Sequence, residues 1–223
     1  MSLKNLAFVT FCLFISVKSF SQRNFDHYNR LGVTGGFNLF DINTSDLITS
    51  QEGGFMAGFT TRGSFRNQFD LIYGLTFFNN RIGIEGFGLT AEGTPTDRQP
   101  IKYTIQAVQV NFLGSLNIVK HHLSIELGPV LNVNGKMKVD SDRFDNYIIS
   151  GYNNLRASDL EDISKVNLRV LGGITAGLEN FRLTAQYQYG LTNMLKNLND
   201  KELEFSDFDG KSSTLVFGAI VYF

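Results

Sequence analysis

Apolar and polar residues alternate one by one along much of this chain. In residues 166–179 (VNLRVLGGITAGLE), apolar side chains mostly fill one set of alternate positions and polar side chains or glycine the other. The same alternation runs through residues 108–117, 123–134 and 181–191. Because a period of two puts successive side chains on opposite faces of a β-strand, each stretch predicts a strand with one apolar and one polar face.

Four further stretches complete the predicted set of strands. Glycines interrupt the alternation in residues 31–40, 54–65 and 69–78, and the last stretch is the strongly apolar run TLVFGAIVYF (Thr214–Phe223). Eight strands of about ten residues have the length that crosses a bilayer when the strands are tilted. We expect the last strand to pair with the first, since a closed barrel leaves no unpaired edge in lipid.

The connections between these strands alternate in length. Short ones fall near Arg66–Asn67, Lys120–His121 and Asn180–Phe181, whereas long polar ones cover residues 41–53, 79–102, 135–165 and 192–211. This asymmetry is typical of bacterial outer-membrane barrels. The sequence therefore predicts an all-β fold: an antiparallel up-and-down transmembrane β-barrel of about eight strands, with short periplasmic turns and long extracellular loops.

The chemistry of the two faces indicates which one meets lipid. The polar faces carry a charge network assigned to the lumen, formed by Arg62, Asp70, Glu126, Arg169, Glu179 and Arg182. The apolar faces carry aromatic residues near strand ends, as in the interfacial girdles of membrane barrels: Phe55, Phe69, Phe77, Phe181, Tyr189 and Phe223. We therefore place the apolar face in outer-membrane lipid. The alternative is a secreted soluble lipocalin-like barrel, with the apolar face inside around a small apolar ligand.

The turn lengths also predict two ion pairs between neighbouring strands. A three-residue turn at residues 65–67 would put Arg62 directly opposite Asp70. A two-residue turn at Asn180–Phe181 would pair Glu179 with Arg182 inside the barrel.

The first residues of the chain have the order of a secretory signal peptide. Lys4 precedes an apolar core at residues 6–17, and small residues follow. We expect cleavage after Ser21, which leaves residues 22–29 as a periplasmic segment and residues 30–223 as the barrel. An N-terminal membrane anchor is the alternative, but the apolar core is shorter than the ~20 residues that a spanning helix needs. The single cysteine, Cys12, would be removed with the signal.

Charge and candidate chemistry exclude several function classes. With 20 basic and 21 acidic residues, the chain lacks the basic surplus typical of nucleic-acid binding. Its three histidines, His27, His121 and His122, fall at or before the periplasmic side, so a hydrolase triad would have no base in the outer loops. The acidic stretch 140–145 lacks the central glycine and the final glutamate of a calcium-binding EF-hand loop. We therefore predict no catalytic, metal or cofactor site.

Two motifs carry a resemblance to a known family. The segments ELGPVL (Glu126–Leu131) and YQYGLTN (Tyr187–Asn193) are the most distinctive parts of a pattern that covers essentially the whole chain after the signal. The pattern resembles the PorT-like outer-membrane β-barrel family of Bacteroidetes-type bacteria. The resemblance implies a small outer-membrane barrel, mostly of unassigned function, with one branch associated with gliding and type IX secretion.

These features lead to the expectation of a role that involves no catalysis. An eight-stranded barrel is filled by its own side chains, so a general diffusion pore is not expected. We expect a structural or binding role through the extracellular loops, with a protein or other extracellular ligand as partner. The expected contact residues are Phe144, Tyr147, Ile148, Ile149 and Tyr152, on a hairpin above the membrane. Tyr222 and Phe223 resemble the C-terminal signature read by the barrel-assembly machinery. The alternatives are the soluble carrier and an accessory of a gliding or type IX secretion machinery.

Overall fold

The computed structural model describes residues 28–66 and 68–223. Nine strands follow one another along this part of the chain: β1 (Asn29–Asn43), β2 (Thr49–Arg66), β3 (Phe69–Phe87), β4 (Gln99–Val119), β5 (Leu123–Val139), β6 (Ile148–Ile149), β7 (Val166–Gly177), β8 (Phe181–Gly190) and β9 (Lys211–Tyr222). Short 3-10 helices lie at Asp142–Phe144, Ala157–Glu161 and Lys196–Asp200. The predicted signal peptide and residues 22–27 lie outside the described residues.

All strands except β6 form one closed antiparallel ring. Each of these eight strands pairs with its neighbour in the chain, and β9 pairs with β1 from Gly32 opposite Tyr222 to Asn43 opposite Lys211. The two-residue strand β6 pairs with the end of β3. The predicted up-and-down barrel of eight spanning strands is therefore confirmed, including its closure by the last strand.

The strands extend further on the extracellular side than predicted. β3 has 19 residues and β4 has 21, so the loop expected at residues 79–102 shrinks to residues 88–98. The expected hairpin at residues 135–165 is also wrong. There β5 ends at Val139, and two 3-10 helices and β6 follow. In these extensions the outward side chains are polar, which is the reverse of the membrane part. The sequence of the extensions therefore resembles that of polar loops.

The periplasmic turns are short, but both predicted registers are wrong. Asp70 lies opposite Ser64, and Arg62 lies two residues further along, opposite Ile72. The register differs because β2 continues to Arg66, which pairs with Phe69, so the turn falls later in the chain than predicted. In the other hairpin β7 ends at Gly177, which lies opposite Arg182. The Leu178 N–H closes this turn by donating to the Phe181 carbonyl at 2.7 Å, and Glu179 is thereby left outside the barrel wall.

Large apolar side chains cover the outer wall of the ring. Exposed examples occur on every spanning strand, among them Phe37, Phe59, Leu75, Phe112, Leu127, Ile174, Leu183 and Phe217. The buried inward positions at the same levels include many polar residues, such as Gln109, Asn132 and Thr184. The apolar face is therefore outside, which contradicts the soluble lipocalin-like alternative. Among the described residues, none of the helices is long and apolar enough to cross a membrane.

Candidate functional site: the sealed lumen and the extracellular cap

Arg62 lies at the centre of a buried ionic network in the periplasmic half of the lumen. Its Nη1 donates to Asp70 Oδ2 at 3.0 Å and to Ser115 Oγ at 3.1 Å, and its Nη2 donates to Glu126. Arg62, Asp70 and Glu126 are each at most 3% exposed. In a low-dielectric interior, such a cation must be matched by carboxylates and hydrogen bonds, and here both are supplied.

Two further predicted charges also point into the lumen. Arg182 Nη1 donates to Ser124 Oγ at 3.1 Å, which places it beside the Arg62 network. Arg169 lies elsewhere in the lumen, where its Nη1 donates to Thr214 Oγ1 at 3.4 Å and its guanidinium is 5.8 Å from the ring centre of Phe40. The structure thus groups Arg182 with the ionic network and separates Arg169 from it.

Glu179 is not part of the luminal network, contrary to prediction. It lies on the turn between β7 and β8, its side chain is 55% exposed, and it forms an ion pair with Arg30. Arg30 Nη1 also donates to the Glu179 carbonyl at 2.8 Å. The hydrogen bond and charge of Arg30 lower the pKa of the Glu179 carboxyl. This pair joins the start of β1 to the periplasmic turn after β7.

Little space remains inside the barrel. The cavity between Phe78, Gln109, Glu126 and Tyr222 has a volume of about 30 Å³. That is enough for a water molecule or two, because a water needs at least ~10–15 Å³ by this measure. Side chains therefore fill the lumen, and the protein is not a general diffusion pore.

An apolar core closes the extracellular end of the barrel. We call this core and the loops around it the extracellular cap. Its buried members come from strand extensions and from loops: Phe40, Ile42, Leu47, Ile82, Ile84, Ile101, Tyr103, Ile105, Met137, Ile149, Leu155, Ala157, Leu160, Ile163, Met194, Leu195, Leu198 and Phe208. Burial of so many large apolar side chains provides the driving force that holds the loops in one arrangement.

Hydrogen bonds lock three of the loops to one another. Glu204, after β8, accepts the backbone N–H groups of Asn153 at 2.8 Å and Asn154 at 2.6 Å. The Tyr152 hydroxyl donates to the Asp46 carbonyl at 2.8 Å, and the Asp209 N–H donates to Asp46 Oδ2 at 2.9 Å. The loops after β1, β5 and β8 therefore form one connected surface.

The residues predicted to contact a partner mainly build this cap. Ile149 is fully buried and belongs to β6, while Phe144, Tyr147 and Tyr152 are partly buried and pack against the apolar core. Ile148 pairs with Phe87 at the end of β3. The apolar character of residues 144–152 thus reflects packing beneath the surface. Sequence reasoning missed the partners of this segment in β3 and β4, although the alternation of Ile101, Tyr103 and Ile105 could have revealed them.

The two C-terminal residues, at the end of β9, point to opposite sides of the barrel wall. Tyr222 points inward and is 2% exposed, whereas Phe223 is 71% exposed on the outer side. The Phe223 N–H donates to the Leu31 carbonyl at 2.9 Å, which extends the closing seam between β9 and β1. Across residues 28–66 and 68–223, no group of three or more His, Cys, Asp or Glu residues is placed to hold a metal ion.

Comparison with solved structures finds matches at low sequence identity. The attachment invasion locus protein Ail of Yersinia pestis, in complex with the heparin analogue sucrose octasulfate, is 18% identical, with a TM-score of 0.47; the match covers 87% of this chain and 99% of that one. Neisserial surface protein A is 14% identical, with a TM-score of 0.47 and coverage of 86% and 97%. OprG of Pseudomonas aeruginosa is 10% identical, with a TM-score of 0.48 and coverage of 91% and 99%.

A family model provides the assignment. A search of curated protein sequences found no match. The model described as "Outer membrane protein beta-barrel domain" matches residues 20–196, most of the chain. Together with the apolar outer wall, this match places the protein in the outer membrane as a small integral β-barrel. The chain belongs to the outer membrane protein beta-barrel domain family.

Proposed function

We propose that the barrel anchors a preorganised extracellular cap that binds a partner outside the cell. The observation that carries the proposal is the interlocking of the loops after β1, β5 and β8 over one apolar core. A surface that is already ordered loses little conformational entropy on binding, so it can bind a partner without first folding. The proposal assigns no catalytic role and no cofactor to the protein.

The charge of the cap supports a basic partner. Taken together, the segments 41–53, 79–106, 135–165 and 192–211 contain 17 acidic and 11 basic residues. Asp200, Glu202 and Asp207 are exposed on the loop after β8. A surface with a surplus of one sign attracts oppositely charged partners and speeds their association.

Photo-crosslinking on intact cells tests this function. A photoreactive amino acid at Glu202 or Asp207 would be activated in cells that carry the otherwise complete chain. We expect a crosslinked adduct from these positions, and none from the matched exposed position Arg66 at the periplasmic end of β2. Glu92, on the separate loop after β3, reports whether the partner also covers that loop. Absence of an adduct from every position in the cap would contradict the proposal.

We also propose that the chain is PorT-like within its family. The motifs ELGPVL (Glu126–Leu131) and YQYGLTN (Tyr187–Asn193) support this assignment, and Glu126 belongs to the buried Arg62 network. One branch of the PorT-like barrels is associated with gliding and type IX secretion, and membership of that branch would make the protein an accessory of such a machinery. Purification from the native membrane in mild detergent tests it, because an accessory would be isolated together with its machinery and an independent barrel would be isolated alone.

The two ends of the chain carry the signals proposed for export and membrane assembly. We propose export through a signal peptide cleaved after Ser21, a periplasmic segment at residues 22–29, and recognition of Tyr222 and Phe223 by the barrel-assembly machinery. The outward position of Phe223 supports the last point, since its side chain is accessible at the end of the closing strand. Sequencing the N-terminus of the mature protein tests the cleavage site.

A further inference from the structure

The outer wall of the barrel contains an apolar groove across four strands. Four small outward-facing residues create it, one on each strand: Gly35 on β1, Ala176 on β7, Ala185 on β8 and Ala219 on β9. The groove has a volume of about 530 Å³. Many other outward positions of the wall carry large side chains, as at Phe59 on β2. Volumes of ~300–1,000 Å³ are typical of small-molecule sites.

The lining of the groove excludes a polar occupant. Thr184 is the only polar side chain among the lining residues, and the remainder are glycine, alanine, leucine, isoleucine and phenylalanine. No polar ligand could replace its hydration there, and burying an unpaired polar group costs several kcal/mol (roughly 2–7). The occupant must therefore be apolar over the whole length that it inserts.

The position of the groove identifies the source of that occupant. On β9, Ala219 lies midway along the apolar outward positions, between Phe223 at the periplasmic end and Leu215. The stacked rings of Phe37 and Phe217, 5.3 Å apart, lie on the extracellular side of Gly35 and Ala219. In the opposite direction, the lining continues towards the periplasm, to Ala176 beside the turn that follows β7. A chain that enters from the periplasmic leaflet can therefore reach the centre of the bilayer along the groove.

We propose that this groove is a binding site for the distal part of one acyl chain of a periplasmic-leaflet phospholipid. The wall of a second barrel is convex, so it would span the groove without filling it, whereas a flexible hydrocarbon chain can follow a narrow concave surface. Contact with groove atoms on several sides gives the chain more dispersion energy than it has against a smooth wall. The site holds one lipid in place for longer than the surrounding annular lipids and does not depend on the extracellular cap.

Filling the groove with a side chain tests the site. In Gly35→Leu, a Cβ would meet only the Met56 carbonyl, at an ordinary 3.9 Å, so the backbone can accept the change. Gly172→Leu is the matched control. It also faces outward, on β7, its Cβ would meet only Leu127 Cδ1 at 3.8 Å, and it lies outside the lining. Heat-modifiable gel migration establishes that each variant is folded, and Ala185→Val provides a milder filling variant.

The measurement uses the full chain in vesicles of phosphatidylethanolamine and phosphatidylglycerol. A trace of phosphatidylglycerol carries a nitroxide near the methyl end of one acyl chain, and electron paramagnetic resonance reports its mobility. We expect a strongly immobilised component with the wild type and with Gly172→Leu, and its loss with Gly35→Leu. A nitroxide near the headgroup should not distinguish the three proteins.

Three outcomes would overturn the proposal. One is an equal immobilised component in the wild type and Gly35→Leu. Another is a crosslinked dimer of the wild type and of Gly172→Leu that Gly35→Leu abolishes, which would assign the groove to a second copy of this chain. The third is displacement of the labelled phospholipid by lipopolysaccharide but not by excess unlabelled phospholipid, which would assign it to the outer leaflet.

Discussion

The extracellular and membrane parts of strand β4 share one alternation but have opposite chemistry. In the extracellular part, the inward side chains Ile101, Tyr103 and Ile105 are fully buried in the cap. In the membrane part, most inward side chains are polar, as at Gln109, and outward ones are apolar, as at Val110. The strand does not change face between the two parts. Only the kind of residue on each face changes.

This contrast shows that the solvent outside the wall decides which face is apolar. Lipid cannot satisfy polar groups, so polar side chains at that depth point inward and pair with one another, as Arg62 does with Asp70 and Glu126. Water around the extracellular part reverses the preference, and apolar side chains there collect inside. The protein thus combines a membrane barrel with a cap built like a small water-soluble domain.

The largest expected effect comes from placing a charge in the apolar cap. Ile101→Asp would bury a carboxylate without a partner among cap residues, at a cost on the order of 5 kcal/mol. We expect the cap to open while the barrel remains closed. Limited proteolysis should then cut the extracellular loops, and heat-modifiable gel migration should persist. Gln106→Asp, at an outward exposed position of the same strand, is the control and should stay resistant. Equal resistance in both variants would contradict a cap held by apolar burial.

The converse change in the membrane part removes the cation of the luminal network. Arg62→Met would leave Asp70 and Glu126 buried without their cation, and breaking such a buried pair typically costs about 3–5 kcal/mol. Urea unfolding in lipid vesicles should show this loss. Arg66→Met, at the exposed end of β2, should leave the free energy of unfolding nearly unchanged. Adding Asp70→Asn and Glu126→Gln to Arg62→Met should restore much of the loss, because neither carboxylate is then left charged without Arg62. A failure of this rescue would mean that packing, and not charge, is what Arg62 contributes.

A third change compares exposed apolar residues at the two ends of the barrel. Phe223→Asp lies at the periplasmic edge of the membrane part, where a charge on the lipid face costs only ~0–1 kcal/mol. We nevertheless expect several-fold less protein in the outer membrane, because the assembly machinery would lose its C-terminal signature. Leu89→Asp, 54% exposed on the loop after β3, should assemble normally. Immunoblots of outer-membrane fractions measure both, and normal levels of the Phe223 variant would argue against recognition of this residue.

The smallest effect is a pH dependence confined to the cap. Hydrogen bonds from backbone N–H groups, chiefly that of Asn154, lower the pKa of the Glu204 carboxyl. Because the folded-state pKa is depressed, the stabilisation is present above the pKa of an unfolded glutamate. It is lost as the pH falls through the lowered value. Hydrogen-exchange protection of the Asn153 and Asn154 amides, corrected for intrinsic rates, should therefore fall in acid.

Glu204→Gln provides the control for this pH effect. We expect less protection of the same amides at neutral pH and little further change in acid, since the variant has no charge to lose at this position. A wild-type protein whose amide protection is equal at neutral and acid pH would show that Glu204 does not lock the loops.

The membrane part was largely predictable from the sequence. Alternation located β4, β5, β7 and β8, and glycine-interrupted or strongly apolar runs located the other spanning strands. The polar faces identified inward positions such as Arg62 and Arg182, which the structure buries. The predicted pairing of Arg62 with Asp70 was wrong in register, yet the ion pair exists because long side chains reach diagonally across the strands. The error at Glu179 had a different cause: the end of β7 at Gly177 leaves Glu179 in the turn, beyond the last residue that the barrel wall can orient.

The sequence by itself determined the period, the number of spanning strands and the polarity of each face in the membrane. These properties are local, because they depend on which residues alternate over ten positions. Only the tertiary structure decided that residues 144–152 lie beneath the cap surface, that Asp46 and Glu204 join separate loops, and that four small residues on neighbouring strands form one groove. Those properties depend on the registers between strands far apart in the chain, and a one-dimensional pattern does not specify which residues meet when a sheet closes on itself.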